Sequence, residues 1–240
     1  MLRDSIDYKG TAVGKLFRRF LFPTVMGMVF SAVFVITDGI FVGRGIGSDA
    51  LAAVNLTAPL FTLGTGLGLM FGMGGSVVAS VNLAQGKRRV AQINITQSLV
   101  IPALLIHCHK PLLLLLGTPP ELMVPAREYL VWFTLFLAPL AVFNILMFIV
   151  RLDGAPRFAM ACNIMAACIN IVLDYLFIFE FGWGLAGAAI ATGIGYIVGS
   201  GVMLRYMLRS SRTLHFVKLK TSYKSLRLTA RNLGYMTYIG

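Results

Sequence analysis

Residues Phe20 to Gly47 read FLFPTVMGMVFSAVFVITDGIFVGRGIG. Eighteen of them, Phe20 to Thr37, carry no charge, and they end at Asp38. At 1.5 Å per residue such a run makes about 27 Å of helix, close to the ~30 Å hydrocarbon core of a bilayer. A carboxylate near the far end of a run so apolar is the feature that needs explaining.

The rest of the chain repeats the pattern. Of its 240 residues, 58% are hydrophobic and 12% charged, and the mean hydropathy is +0.82. Soluble domains run near ~45–50% apolar and ~25% charged, so this composition belongs to membranes. Six apolar segments follow one another, at about residues 17–42, 51–82, 92–115, 129–150, 158–181 and 185–208. Each is long enough for a crossing helix. The third is the weakest, with Pro102 inside it and Lys110 and Pro111 near its end. The expected fold is therefore all-α, a polytopic six-helix lobe over residues 1–208. Residues 209–240 are expected to form a basic cytoplasmic connector. NLGYMTYIG, Asn232 to Gly240, reads as the start of a seventh span that is cut short. The apolar run after the polar N-terminus is too long for a signal-peptide core, so it reads as a retained first span.

The net charge of +12 would suggest nucleic acid in a soluble protein, but here the cations lie between apolar runs. The N-terminal tail, the loops after spans two and four and the C-terminal tail hold 18 Lys and Arg; the opposite side holds Arg44, Lys110 and Arg127. By the positive-inside rule the N-terminus is cytoplasmic and the chain is a multi-pass protein of the cell membrane. No nucleic-acid partner is expected. Three cysteines, Cys108, Cys162 and Cys168, lack the pattern of a disulfide framework. His107-Cys108-His109 has no partner at metal-ligand spacing, so no metal is expected. The cluster GTGLGLMFGMGG does not match G-x-G-x-x-G. Instead Gly64, Gly68, Gly72, Ser76 and Ser80 recur every fourth residue. They form a small-residue ridge that lets helices approach closely in lipid.

Among nine acidic residues, Asp4, Asp7, Asp49, Glu121, Glu128 and Asp153 read as tail, loop or span-end groups, and Glu180 reaches the interface. Asp38 and Asp174 stand within spans, at a cost on the order of 3 kcal/mol each by insertion scales. Both spans run outward, which puts both acids in the outer half, roughly 6–10 Å below the surface. Asn170 lies one turn before Asp174, on the same face. These three side chains form the candidate site. A carboxylate in low dielectric exchanges a proton or sodium for an organic cation, which is a physical basis for antiport. Pro23, in the same span as Asp38, is a candidate bend because it removes one helical hydrogen bond. Met70, Met73, Phe143, Met147 and Tyr175 are candidates for an adaptable wall.

Several stretches, in order, carry a resemblance. They are P-x14-D-G-I-F-V-G-R-x-I-G-x-x-A-L-A-A (Pro23–Ala53), A-Q-G-K (Ala84–Lys87) and L-L-x-L-L-G-T-P-P-E-L (Leu112–Leu122). R-L-D-G-A-P-R (Arg151–Arg157), N-I-V-L-D-Y-L-F-I-F (Asn170–Phe179) and G-L-A-G-A-A-I-A-T (Gly184–Thr192) complete the set. The ordered set resembles the multidrug and toxic compound extrusion (MATE) family. The resemblance implies a twelve-helix fold in two six-helix lobes, of which this chain matches the N-terminal one. It implies export of organic cations in exchange for protons or sodium, with no catalytic residue and no organic cofactor. It puts the family's coupling acids and amide at Asp38, Asn170 and Asp174, and its bending proline at Pro23. The implied partners are membrane lipid, small cationic amphiphiles and a second six-helix lobe on another chain. A lobe alone is expected to be inactive. The third span is also shorter than the family pattern. A flippase for lipid-linked oligosaccharides or a polysaccharide exporter is the alternative; it would line its cavity with basic groups, and these spans hold almost none. A membrane enzyme would want a catalytic pair or metal set such as H-E-x-x-H, which does not occur.

Overall fold

The computed structural model describes residues 12–107, 123–211, 214–217, 234, 235 and 238. Its helices are α1 (Val13–Gly45), α2 (Ser48–Ala84), α3 (Arg88–His107), α4 (Met123–Leu152), α5 (Pro156–Tyr175) and α6 (Gly184–Arg209). α5 continues into a π-helical turn, Leu176–Glu180. In lipid, backbone groups have no water to bond, so helices that satisfy them internally are the stable spanning form. Among the described residues, Val13–Gly45, Gly64–Ala84, Pro156–Glu180 and Gly184–Arg209 are long and apolar enough to cross, and Phe136–Leu152 is a shorter apolar helical stretch. The expected third span ends outside the described residues, as do Cys108, His109 and most of the basic connector.

Tight turns join the helices. Gly86 and Gly154 adopt φ of 74° and 90°, which a side chain would strain. They close the turns after α2 and α4, where Lys87 N–H reaches the Asn82 carbonyl at 2.8 Å and Ala155 N–H the Val150 carbonyl at 3.2 Å.

Small residues decide which helices meet. A Cβ on Gly68 would lie 3.1 Å from the Ala141 Cα, and one on Gly72 3.0 Å from the Ile145 Cα. A Cβ on Gly64 would collide with Leu137. These three glycines thus face α4. Ser76 and Ser80 turn their hydroxyls back onto their own helix, at the carbonyls of Gly72 and Val77. α6 uses a second glycine row: Gly193 faces Phe136, Gly195 faces the Ala166 carbonyl and Gly199 faces Phe143. That row lays α6 across both α4 and α5.

Around these contacts sits the main core, with Phe71, Ile95, Ile145, Leu146, Ile149, Met203 and Met207 fully buried. A smaller cluster, Val42, Ala50, Ile178 and Ala188, closes the opposite end. α1 stands apart from this block. It packs chiefly along α5, and its buried residues are Pro23, Gly27 and Val42.

One loop acid departs from expectation. Asp153 is buried, accepting from the Tyr206 hydroxyl at 2.9 Å and the Ser211 hydroxyl at 3.0 Å. Its place in the turn after α4 gave it the look of a solvated group. The chain beyond α6 folds back over it, with Leu214 fully buried beside Ser211.

Candidate functional site

α1 and α5 run parallel. Gly27 lies against Asn163, Asp38 against Asp174 and Phe41 against Phe179. Between them, α4 and α6 is a cavity of about 210 Å³. Its polar lining includes Ser31, Thr65, Asn144, Asn163, Asn170 and Thr192, and Phe34, Phe61, Phe143 and Tyr196 supply aromatic walls.

Two of the three predicted site residues meet. The carboxyl groups of Asp38 and Asp174 lie within hydrogen-bonding reach of each other. Asp174 is fully buried. Among the described residues no amide, hydroxyl or backbone N–H donates to either of its oxygens, nor to Oδ1 of Asp38. Two carboxyls in contact repel when both are ionised. The pair is therefore disfavoured with both members ionised.

Asn170 sits one turn below, buried, and takes another partner. Its Nδ2 donates to the Thr192 hydroxyl on α6 at 3.0 Å, while its Oδ1 has no donor. It lines the cavity and offers that free acceptor beside the acids. Pro23 is buried in α1, about 22 Å along the helix from Asp38 by rise. It is not part of the acid cluster.

Sequence reasoning missed Thr192, Tyr196, Asn163 and Thr65. Thr65 has a buried hydroxyl with no partner, and Tyr196 stands within electrostatic range of Asp38. Threonine and tyrosine are ordinary in apolar helices, so nothing marked them. Asn163 could have been found, because it lies seven residues before Asn170 and eleven before Asp174, on one helical face. Of the five candidate wall residues, Phe143 lines the cavity; Met147 is buried in the core, and Met73 and Tyr175 are about half exposed. Among the described residues no three His, Cys, Asp or Glu side chains gather as a metal site.

A helical membrane bundle with a buried acid facing a half-buried one, beside a cavity between the helices, has the build of a transporter lobe. The family model described as MatE matches residues 23–176, and the chain belongs to that family. It is a multi-pass membrane protein. The multidrug export protein MepA of Staphylococcus saprophyticus is 30% identical over 85% of this chain and 47% of its own length. MepA of Staphylococcus aureus strain MSSA476 is 26% identical over 97% of this chain and 53% of its own. The chain thus spans about half the length of the curated relatives it matches. Among solved structures, the outward-facing conformation of a multidrug resistance MATE family transporter superposes with a TM-score of 0.77. It is 26% identical, over 92% of this chain and 52% of that one. A MATE crystal structure in complex with MaL6 gives 0.78 at the same identity and coverage.

Proposed function

We propose that this chain is the N-terminal lobe of a cation-coupled antiporter that exports organic cations and drugs. The observation that carries the reading is the Asp38–Asp174 pair beside a cavity, in which Asp174 is fully buried, Asp38 is half-buried, and neither Asp174 oxygen has a donor among the described residues. The coupling ion, H⁺ or Na⁺, is the positive charge that the pair requires. When it leaves, the pair takes up a substrate cation instead, and competition for one site couples the two fluxes. Asn170 offers its free Oδ1 to either cation.

The N-terminus lies inside, as the distribution of Lys and Arg requires. The transport path is completed by a second six-helix lobe, and the lobe by itself does not transport. Lipid surrounds the exposed face of α1, where Phe22, Met28 and Ile36 are more than 60% exposed. Multidrug export by the MepA relatives supports this reading over the flippase alternative, and over an enzyme.

The test is drug efflux from proteoliposomes by a complete two-lobe transporter that contains this lobe. Asp38→Asn and Asp174→Asn should each abolish efflux driven by a proton or sodium gradient, with the protein still in the membrane. Gradient-driven efflux retained in both variants refutes the assignment.

A further inference from the structure

α5 does not end as a regular helix. Its last turn, Leu176–Glu180, is π-helical, and the Phe181 N–H reaches back five residues to the Leu176 carbonyl at 2.9 Å. On an α-helix, residues five apart point about 140° away from each other. The wider turn, bonded from i to i+5, brings them toward one face. Tyr175 and Glu180 are such a pair, and the Tyr175 hydroxyl donates to Glu180 Oε1 at 3.4 Å. Phe179 completes the group, its ring centroid 5.5 Å from that of Tyr175 with 32° between the planes.

Packing between α1 and α5 holds this group in place. Phe41 of α1 meets the Phe179 ring edge-on, at 5.7 Å and 90°. Ile178 is buried, and Gly45 of α1 leaves room for it; a Cβ there would collide with Ile178 and crowd Phe179. Farther along, the Asn163 amide ties the same two helices, donating from Nδ2 to the Gly27 carbonyl and the Ser31 hydroxyl, each at 2.9 Å.

Tyr175, Phe179 and Glu180 are exposed, whereas Asp174, the residue before Tyr175, is fully buried. The group therefore lies on the outside of the bundle and takes no part in lining the cavity. Among the described residues Glu180 has no ion-pair partner, and the Tyr175 hydroxyl leaves most of its acceptor sites open. A carboxylate beside two half-exposed rings attracts a cation twice over, by opposite charge and by the ring faces. Arg44, next to Gly45 on α1, is exposed at the same end and is likewise without an ion pair among the described residues. Toward the middle of α5, Val172 is exposed and continues the apolar surface. Interfacial aromatics anchor many spans at the headgroup level. Anchoring requires neither a carboxylate within bonding reach of the ring nor a π-turn that brings it there.

We propose that Tyr175, Phe179 and Glu180, with Arg44, form a binding site for the headgroup of an aminophospholipid. The ammonium rests on the two rings and donates to Glu180, the phosphate pairs with Arg44, and the acyl chains run along α5 past Val172. The two charges of the headgroup meet two opposite charges carried on neighbouring helices. The site is separate from the acid pair and stands whether or not that pair couples an ion.

Quenching of Trp183 by brominated lipids tests this. Trp183 stacks on Phe177 of the same π-turn at 4.8 Å and is half exposed. The 240-residue chain, with Trp132→Phe so that Trp183 is its one tryptophan, is reconstituted in dioleoylphosphatidylcholine vesicles. The vesicles carry dibrominated phosphatidylethanolamine, dibrominated phosphatidylglycerol or dibromostearylamine. Phosphatidylethanolamine should bind beside Trp183 about threefold more tightly than phosphatidylglycerol. Glu180→Gln should abolish that preference, and Tyr175→Leu and Phe179→Leu should each lower it about twofold. Phosphatidylethanolamine should also outbind stearylamine, which has the ammonium without the phosphate, and Arg44→Gln should remove that advantage. Equal quenching by phosphatidylethanolamine and phosphatidylglycerol overturns the site and leaves ordinary interfacial aromatics. So does a preference that Glu180→Gln leaves unchanged. Stearylamine binding as tightly as phosphatidylethanolamine, with no effect of Arg44→Gln, overturns the phospholipid and makes the occupant a simple lipophilic cation.

Discussion

Asp153 and Asp174 are equally hidden, at 1% and 0% relative exposure, yet they are opposite kinds of group. Asp153 has a hydroxyl donor on each oxygen, from Tyr206 and Ser211. Asp174 has none, and its neighbour is another acid. A buried carboxylate with a full set of donors holds structure in place. A buried carboxylate that lacks them is unstable until something positive arrives, and that need is what a transporter can use. Burial by itself distinguishes nothing here; the count of donors does.

The largest test of this contrast is functional. Asp174→Asn and Asp38→Asn should each cut gradient-driven efflux by a complete transporter at least roughly 100-fold, the two-to-three kcal/mol scale of a buried charge contact. Thermal unfolding of the purified lobe in detergent should show no loss of stability, because the change removes like charge and adds an amide donor. A marked drop in melting temperature would make Asp174 a structural acid like Asp153. The converse change, Asp153→Ala, should destabilise the lobe by about 2–3 kcal/mol, since it removes the carboxylate that accepts from the buried Tyr206 and Ser211 hydroxyls and leaves a space where it stood. An unaltered melting temperature there would break the contrast from the other side. The smallest effects belong to the donors. Tyr206→Phe and Ser211→Ala should each cost about 1 kcal/mol in the same melt, less than Asp153→Ala. Equal losses for all three would place the stability in packing and not in the carboxylate.

The same contrast explains which parts of the site were legible beforehand. Asp38 and Asp174 stood out because charge inside an apolar run is costly, and cost is visible residue by residue. Asp153 did not, because Arg-Leu-Asp-Gly in a turn looks the same whether water or a folded-back chain covers it. Asn163 was visible in principle through its eleven-residue spacing from Asp174, but its two acceptors lie on a helix more than 130 residues away in sequence. Gly193, Gly195 and Gly199 were likewise hidden among many small residues in α6, although they lay that helix on α4 and α5 as firmly as the ridge of α2 meets α4.

The sequence by itself determined the solvent, the helical class and the two acids that stand out inside apolar runs. These follow from hydropathy and charge, which act locally along the chain. Only the tertiary structure decided that Asp38 faces Asp174 while Asn170 turns to Thr192, that Asp153 is sealed and satisfied, and that Asn163 ties α1 to α5. Those pairings depend on how far one helix slides and turns against the next. That register is set by backbone approach at glycines and by the fit of many small contacts, none of which is written in any single span.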